Sequence, residues 1–320
     1  MIRPDAPPWW AVAATVAGGM LAAVQSRLNA DLARGLDDPF LAAFISFGSG
    51  FAILLALVLP RPRVRSLALG YAADVARGRF PWYYALGGLG GALLVLTQSL
   101  VVTTTGVALF IVSIVAGQTL SGLVLDRVGF GPGGPRTLSL TRLAGAALTC
   151  LAVGMALAAG IGSSIPWSLL LLPLLAGFGI GYQVGANGIV TQTSGHYLVA
   201  ALGNFAVGSL VLAASAGASV AARGMPEALP ANPALYLGGA LGVLYIAAAA
   251  ALVRYTGVLI LATSAIAGQI IGSLIVDALT SGVTLAPLTI AGALLTIVAA
   301  LVTAGMLPSR RFSRRSPGGR

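Results

Sequence analysis

The feature that most constrains this chain is a series of long apolar stretches that carry almost no charge. An α-helix needs about 20 apolar residues to cross the hydrocarbon core of a bilayer. Stretches of that length lie near 10–32, 40–59, 82–103, 106–126, 141–161, 167–190, 197–220, 235–253, 257–279 and 284–306. Segments rich in proline, glycine or arginine separate them, such as 60–63, 129–135 and 226–230. The pattern predicts an all-α integral membrane protein with ten transmembrane helices.

The low charge content excludes an ordinary water-soluble fold. Charged residues make up 8% of the 320 positions and hydrophobic residues 58%, whereas soluble domains carry roughly 25% charged residues. Such a chain cannot cover its surface in water, so the lipid bilayer is its expected surroundings. The high glycine content, 43 residues, is typical of membrane helices whose backbones approach closely.

The net charge of +10 comes from arginine alone among the basic residues. The arginines lie between the apolar stretches rather than among aromatic residues on a soluble face, so nucleic acid is not an expected partner. Fifteen of the 18 arginines fall on the side that holds both termini and the loops after helices 2, 4, 6 and 8. The positive-inside rule then predicts a multi-pass protein of the cell (inner) membrane, with both termini in the cytoplasm.

The two halves of the sequence repeat each other, including at polar positions. A shift of 158 carries Gln25 and Asn29 onto Gln183 and Asn187, and a later shift of 151 carries 105–107 onto 256–258. Each half holds five predicted helices, an odd number, so the second half must enter the membrane upside down. We therefore predict two inverted five-helix repeats, residues 1–163 and 164–308, followed by a basic cytoplasmic tail at 309–320. This is an architecture of secondary transporters, which bind substrate near the midplane at the repeat interface.

The repeated motif resembles a known family. The first copy has Gly19, Gln25, Asn29, Ala42, Ala43, Ser46, Phe47 and Gly50, and the second has Gly177, Gln183, Asn187, Ala200, Ala201, Asn204, Phe205 and Gly208. This Gly-x5-Gln-x3-Asn pattern with its Ala-Ala-x2-(Ser/Asn)-Phe-x2-Gly segment is similar to the YdcZ family of the drug/metabolite transporter (DMT) superfamily, which is EamA-like. The resemblance covers about residues 8–306. It implies paired or fused five-helix units that transport a small molecule, and it says little about the cargo.

Eight polar residues inside the predicted spans are candidates for substrate binding. Polar side chains within a membrane face other helices or a water-filled cavity. The candidates, which pair across the repeat, are Gln25, Asn29, Ser46, Gln118, Gln183, Asn187, Asn204 and Gln269. The alternative is that these side chains only join helices through hydrogen bonds, worth roughly 0.6–2 kcal/mol each. Gln98 has no polar counterpart, because Ala249 occupies its place.

The few acidic residues lie near the ends of predicted spans. Asp126 and Asp277 end helices 4 and 9, and Asp126, followed by Arg127, is interpreted as a solvated interface residue. Arg27 is expected to extend toward the interface and pair with Asp31, although it has the alternative of holding an anionic group. The absence of an acidic residue in the middle of a span argues against a simple carboxylate-based proton antiporter.

The sequence favours a transporter of a small-molecule substrate over other functions. It has no HExxH motif, no paired mid-membrane aspartates and no P-loop, and Cys150 and His196 are the only residues of their kind. These facts argue against a membrane enzyme, an ATP-driven pump or a bound cofactor or metal. A scaffold without transport and a lipid flippase remain as alternatives, and a second copy of the chain is a further possible partner.

Overall fold

The computed structural model describes residues 8–132, 134–135, 137, 139–158, 167–280 and 285–303. Its α-helices are α1 (Trp9–Leu36), α2 (Pro39–Val58), α3 (Pro62–Ala76), α4 (Gly88–Val128), α5 (Leu140–Ala158), α6 (Trp167–Ser194), α7 (Tyr197–Arg223), α8 (Gly238–Leu279) and α9 (Pro287–Thr303). Short 3-10 turns precede α4 at Trp82–Gly87 and α8 at Pro233–Leu237. Within the described ranges the regular elements are all helical, as predicted.

Each predicted span has a helical counterpart, but two helices contain two spans apiece. α4 is 41 residues long, about twice the length of one crossing. Gly106, with φ 77° and ψ 168°, breaks it into a first segment (88–105) and a second segment (107–128). α8 likewise contains two candidate spans, Pro233–Thr256 and Ile260–Leu279. The predicted boundary at 163/164 and the tail 309–320 lie outside the described residues.

α3 was not predicted, because the segment between the second and third spans is rich in arginine and proline. Pro62 occupies the first turn of this helix, where the missing N–H of proline has no cost. Only Val64 is fully buried within α3, and Tyr71 packs edge-on against Phe80 at 5.3 Å between ring centroids. Burial raises the pKa of Tyr71 to about 12. The helix therefore lies on the surface of the bundle.

The main helix contacts pair elements from the two sequence halves. α1 packs on α8, α4 on α6, α2 on α7 and α5 on α9. The repeat makes α1 equivalent to α6 and α4 equivalent to α8. The α1–α8 and α4–α6 contacts are therefore equivalent to each other, while α2–α7 and α5–α9 join equivalent helices.

Glycines at matching positions let these helices touch backbone to backbone. A Cβ added at Gly117 of α4 would collide with the carbonyl oxygen of Leu174 in α6. A Cβ at Gly268, the equivalent residue of α8, would collide with the carbonyl oxygen of Val16, the equivalent residue of α1. Small residues that permit such contacts drive helix association in membranes. The two helix pairs thus use the same close approach.

Six helical segments of the described residues are long and apolar enough to cross a membrane: Trp9–Leu36, Pro39–Val58, Trp82–Val128, Tyr197–Arg223, Pro233–Thr256 and Ile260–Leu279. Many large apolar side chains on them face outward, among them Leu210 at 76% exposure and Leu244 at 52%. Outward apolar side chains are costly in water and favourable in lipid. The surface therefore suits a multi-pass membrane protein.

Candidate functional site: two polar clusters and a cavity

The first polar cluster joins α1 to α4 through a chain of side-chain hydrogen bonds. Asn29 Nδ2 donates to Gln98 Oε1 at 2.7 Å, and Gln98 Nε2 donates to Ser26 Oγ at 3.0 Å. Asn29 and Ser26 are 0% exposed and Gln98 is 3% exposed. Gln98, which had no assigned role in the sequence, is therefore the centre of this cluster.

Two buried oxygen atoms face the start of α8, one from Asn29 of the first cluster and one from Ser46 of α2. Asn29 Oδ1 and Ser46 Oγ are buried and have no hydrogen-bond partner among the described residues. Both would overlap a Cβ placed at Gly238, the first residue of α8. The structure thus brings the predicted residues Asn29 and Ser46 together, at a point where only a glycine fits.

The second polar cluster occupies the equivalent place in the other half. Asn204 Nδ2 of α7 donates to Asn187 Oδ1 of α6 at 2.7 Å. A Cβ at Gly87, the equivalent of Gly238, would lie 2.7 Å from Asn204 Oδ1. Asn187 and Asn204, both candidates from the sequence, are therefore in direct contact, but this cluster lacks a residue that corresponds to Gln98.

Gln25 and Gln183 lie against equivalent glycines of the opposite half. A Cβ at Gly242 of α8 would be 2.9 Å from Gln25 Nε2, and one at Gly91 of α4 would be 3.1 Å from Gln183 Oε1. Gln183 Oε1 is buried without a hydrogen-bond partner in the described part of the chain. These amides therefore sit at the α1–α8 and α4–α6 contacts, separate from the two asparagine clusters.

Phe47 of α2 and Phe205 of α7 stack between the two clusters, with ring centroids 4.5 Å apart. Each ring also fills the space beside a glycine of the other helix: Phe205 contacts Gly50, and Phe47 contacts Gly208. The stacked pair holds α2 against α7, so the predicted polar residues are arranged around an apolar centre.

Gln118 and Gln269 lie apart from the clusters and from each other. Gln118 of α4 lines a cavity of about 230 Å³, described below. Gln269 of α8 is 9% exposed, and its Nε2 lies 3.5 Å from the hydroxyl of Tyr245, at the limit of a hydrogen bond. The structure therefore does not gather the eight predicted residues into one site.

The cavity lies where the second segment of α4 meets α5, α8 and α9. Its lining consists of Gln118, Thr119, Gly122, Leu123, Asp126, Arg142, Ala262, Thr263, Ile266 and Ala300. Arg142 Nη1 is 2.6 Å from Asp126 Oδ2, with side-chain exposures of 25% and 34%. Asp126, which the sequence suggested as a solvated interface residue, is therefore partly exposed and ion-paired in the cavity wall.

A second, smaller cavity of about 180 Å³ lies between α2, α7 and α8. Arg61 and His196 border it, and most of the other side chains that line it are aliphatic. None of the eight predicted residues contributes to its lining. It therefore has no link to the repeated polar motif.

Asp277, the repeat equivalent of Asp126, has a different environment. It is 1% exposed, and each of its carboxylate oxygens accepts a backbone N–H of α4: Val107 N–H to Oδ1 at 2.8 Å and Ala108 N–H to Oδ2 at 2.7 Å. These N–H groups lie directly after the break at Gly106, where they have lost their intrahelical partners. Asp277 therefore caps the second segment of α4.

The prediction for Arg27 is confirmed. Arg27 Nε lies 2.8 Å from Asp31 Oδ2, four residues along α1. Among the described residues, no group of three or more His, Cys, Asp or Glu side chains could hold a metal ion.

Comparison with known protein families shows which family this chain belongs to. The profile of one family, described as "Putative inner membrane exporter, YdcZ", matches the chain twice, over residues 10–157 and 168–305. This chain belongs to the YdcZ family. The resemblance found in the repeated motif is thereby confirmed, and a YdcZ-family chain with these helices is a multi-pass inner-membrane protein of an exporter family rather than an enzyme family. No curated protein matches the chain.

Proposed function

We propose that this YdcZ-family chain is a secondary transporter that moves a small molecule across the cytoplasmic membrane by alternating access. In this proposal the moving parts are two inverted five-helix repeats, 1–163 and 164–308, and the substrate passes along their interface. Matching helix contacts and matching glycines in the two halves support an inverted repeat. Inverted repeats allow one set of helices to rock against the other around a fixed site.

The observation that carries the proposal concerns two equivalent places in the halves. One place holds a cavity, and at the other the equivalent residues are packed together. The α4 residues of the cavity wall correspond to Gln269, Ile270, Ser273, Leu274 and Asp277, and its α8 residues correspond to Ile111, Val112 and Val115. Leu274 packs partly buried against the core, and the exposure of the others does not exceed 9%. One end is a cavity, and the other is a packed core.

Such a difference between equivalent elements is expected of an alternating-access protein held in one of its two states. When the repeats exchange conformations, the closed end should open and the open end should close. Asp277 would leave the break at Gly106, and a cavity would form around Ser273. The arginine distribution places Arg127, at the end of α4, in the cytoplasm, so the state described here would be open to the inside.

The polar clusters have a defined place in this proposal. The Asn29–Gln98–Ser26 and Asn187–Asn204 contacts are closed off in the present state and lie where the halves meet. We infer that the eight amide and hydroxyl residues line the path that the substrate follows when the halves separate. Association of two chains into a homodimer stays a prediction.

The test is thiol accessibility at two equivalent positions. Cys150 is the only native cysteine, so Cys150→Ala provides a cysteine-free background. Gly122→Cys and Ser273→Cys are then treated with a membrane-impermeant methanethiosulfonate in intact cells and in inside-out vesicles. We expect Gly122→Cys to react from the cytoplasmic side and Ser273→Cys, more slowly, from the opposite side.

A cysteine in the tail controls for leakage of the reagent. Ser316→Cys should react only in inside-out vesicles if both termini are cytoplasmic. If Ser273→Cys stays unmodified from both sides while the other two react, the closed end does not open, and the chain is a rigid scaffold instead of a transporter.

A further inference from the structure

The cavity between α4, α5, α8 and α9 has one charged end and one apolar wall. Asp126 and Arg142 form the charged end, with Gln118 and Thr119 further along α4. The apolar wall consists of aliphatic side chains from three helices, Leu123, Ala262, Ile266 and Ala300. A ligand of this cavity therefore needs charge at one end and an aliphatic body at the other.

The ion pair limits which charges a ligand can carry. Asp126 and Arg142 neutralise each other at 2.6 Å, so the charged end has no net charge. A lone cation on Asp126 would displace Arg142 and leave the guanidinium without its partner in a partly buried place. A lone anion on Arg142 would do the same to the carboxylate. Because both side chains are partly exposed, an unpaired charge here carries only a modest cost, but that cost still favours a ligand that satisfies both partners.

A ligand with both charges avoids this cost. Its anionic group takes the place of Asp126 on Arg142, and its cationic group takes the place of Arg142 on Asp126. One ion pair is then exchanged for two, and no charge loses its partner. The two ligand charges must be close together, because Asp126 and Arg142 are in direct contact.

The size of the cavity favours a small solute. At about 230 Å³ it is smaller than the pockets of roughly 300–1,000 Å³ that hold drug-sized ligands. We propose that this cavity binds a compact zwitterion with an aliphatic side chain, such as an aliphatic α-amino acid, with the ligand carboxylate on Arg142 and the ligand ammonium on Asp126. The proposal rests on the proposed function and names the substrate class of the same protein.

Gly122 is a position at which a substitution can fill the cavity without disturbing the fold. It lies on one face of α4 with Gln118 and Asp126, at spacings of four residues. A Cβ at Gly122 meets no atom within 4 Å. A side chain at this position therefore fills the cavity rather than pushing helices apart. Gly217 of α7 is a matched control, since a Cβ there also meets no atom within 4 Å and the residue does not line the cavity.

The experiment measures thermal unfolding of the purified full chain in the presence of three solutes. They share the same aliphatic group and differ in the charges they carry. L-Leucine carries both charges, L-leucinamide carries only the ammonium at neutral pH, and 4-methylpentanoate carries only the carboxylate. A ligand that binds only the folded state raises Tm. We expect L-leucine to raise Tm by a few degrees at saturation and the other two solutes to leave it unchanged.

Variants assign the effect to the cavity. Gly122→Leu should abolish the shift with L-leucine while keeping the Tm of the ligand-free protein, and Gly217→Leu should keep the shift. Asp126→Asn and Arg142→Gln should each weaken L-leucine binding at least about tenfold, since each removes one charged contact.

Several results would overturn the proposal. An equal shift with L-leucinamide or 4-methylpentanoate would mean that a single charge is sufficient. A full shift in Gly122→Leu would place the ligand elsewhere, and no shift with any of the three would exclude this substrate class. In the last case thiol reaction from opposite sides at positions 122 and 273 would still support a transporter.

The zwitterionic headgroup of a lipid has the same two charges as an amino acid. A separate experiment distinguishes a lipid ligand from a soluble one. Wild type and Gly122→Leu are compared in nanodiscs with and without phosphatidylethanolamine. If this lipid stabilises wild type but not Gly122→Leu, and L-leucine has no effect, the ligand is a lipid headgroup, and the soluble-zwitterion proposal is wrong.

Discussion

The ends of α4 and α8 carry matching residues of the repeated sequence in different environments. At one end, Gln118, Gly122 and Asp126 border a cavity of about 230 Å³. At the other end, their equivalents Gln269, Ser273 and Asp277 are buried. The difference does not follow from the amino acids alone, since two of these three positions carry the same residue type in both halves. Equivalent residues in unlike environments indicate that long-range packing, rather than residue type, sets the environment.

One difference between the ends is permanent, because it lies in the sequence. Thr149 of α5 and Thr296 of α9 each donate a hydrogen bond to the carbonyl of a glycine four residues earlier. Matching these two threonines aligns the sequences of α5 and α9 at a shift of 147 residues. With that shift, Arg142 corresponds to Thr289. The ion pair between Asp126 and Arg142 therefore has no counterpart at Asp277 and Thr289.

The largest expected effect contrasts two glycines of one helix. Gly117→Ala adds a Cβ that collides with the backbone of α6, whereas Gly122→Ala adds one in open space. We expect Gly117→Ala to destabilise the protein by about 3 kcal/mol, as overpacking between backbones does, and Gly122→Ala to be neutral or slightly stabilising. Thermal unfolding in detergent measures both.

The repeat sharpens this prediction. Gly268→Ala makes the equivalent collision with the backbone of α1, so its effect should match that of Gly117→Ala. A large effect of Gly117→Ala with a negligible one of Gly268→Ala would mean that the two helix contacts are not equivalent.

The next effect contrasts the two aspartates. Asp277→Asn removes a carboxylate oxygen from one of two buried N–H groups and should cost about 2 kcal/mol, because hydrogen bonds to buried charges are strong. Asp126→Asn disrupts a partly exposed ion pair and should cost less than about 1 kcal/mol. Chemical denaturation of the two variants tests the order, and equal costs would contradict the difference in environment.

The smallest effect contrasts the two polar clusters. Gln98→Ala removes the residue that joins Asn29 to Ser26 and should cost about 1–2 kcal/mol. Asn204→Ala breaks one contact with the partly exposed Asn187 and should cost about 0.6 kcal/mol. The Tm values of the two variants measure which loss of stability is larger. The variant Ala249→Gln is the reverse test, because it places a glutamine at the equivalent position of the second half.

The sequence predicted the helices well and the clusters in part. Helices at all ten apolar stretches follow from apolar length. Polar residues in register marked Asn29, Ser46, Asn187 and Asn204 as candidates, but not which of them lie together. α3 was not predicted because it is too polar for a span, and the role of Gln98 was not predicted because this residue has no polar counterpart in the other half.

The cavity could not be predicted because Gln118 and Asp126 recur in both halves while only one of the two equivalent places is open. Gly122 is one of 43 glycines, and nothing in the sequence shows that it lines a cavity. Arg142 counted only as a loop charge for orientation. Its contact with Asp126 joins α4 and α5 across 16 residues and a glycine-rich turn, whose path no local pattern specifies.

The amino-acid sequence by itself determined that this is a helical membrane protein, because that follows from the length of its apolar stretches and their lack of charge. Only the tertiary structure decided which of the two matching aspartates caps a broken helix and which one faces a cavity. The physical reason is that the contacts of Asp277 join residues 169 and 170 positions apart, and the contact of Asp126 depends on how α5 packs on α4, so neither follows from the local sequence.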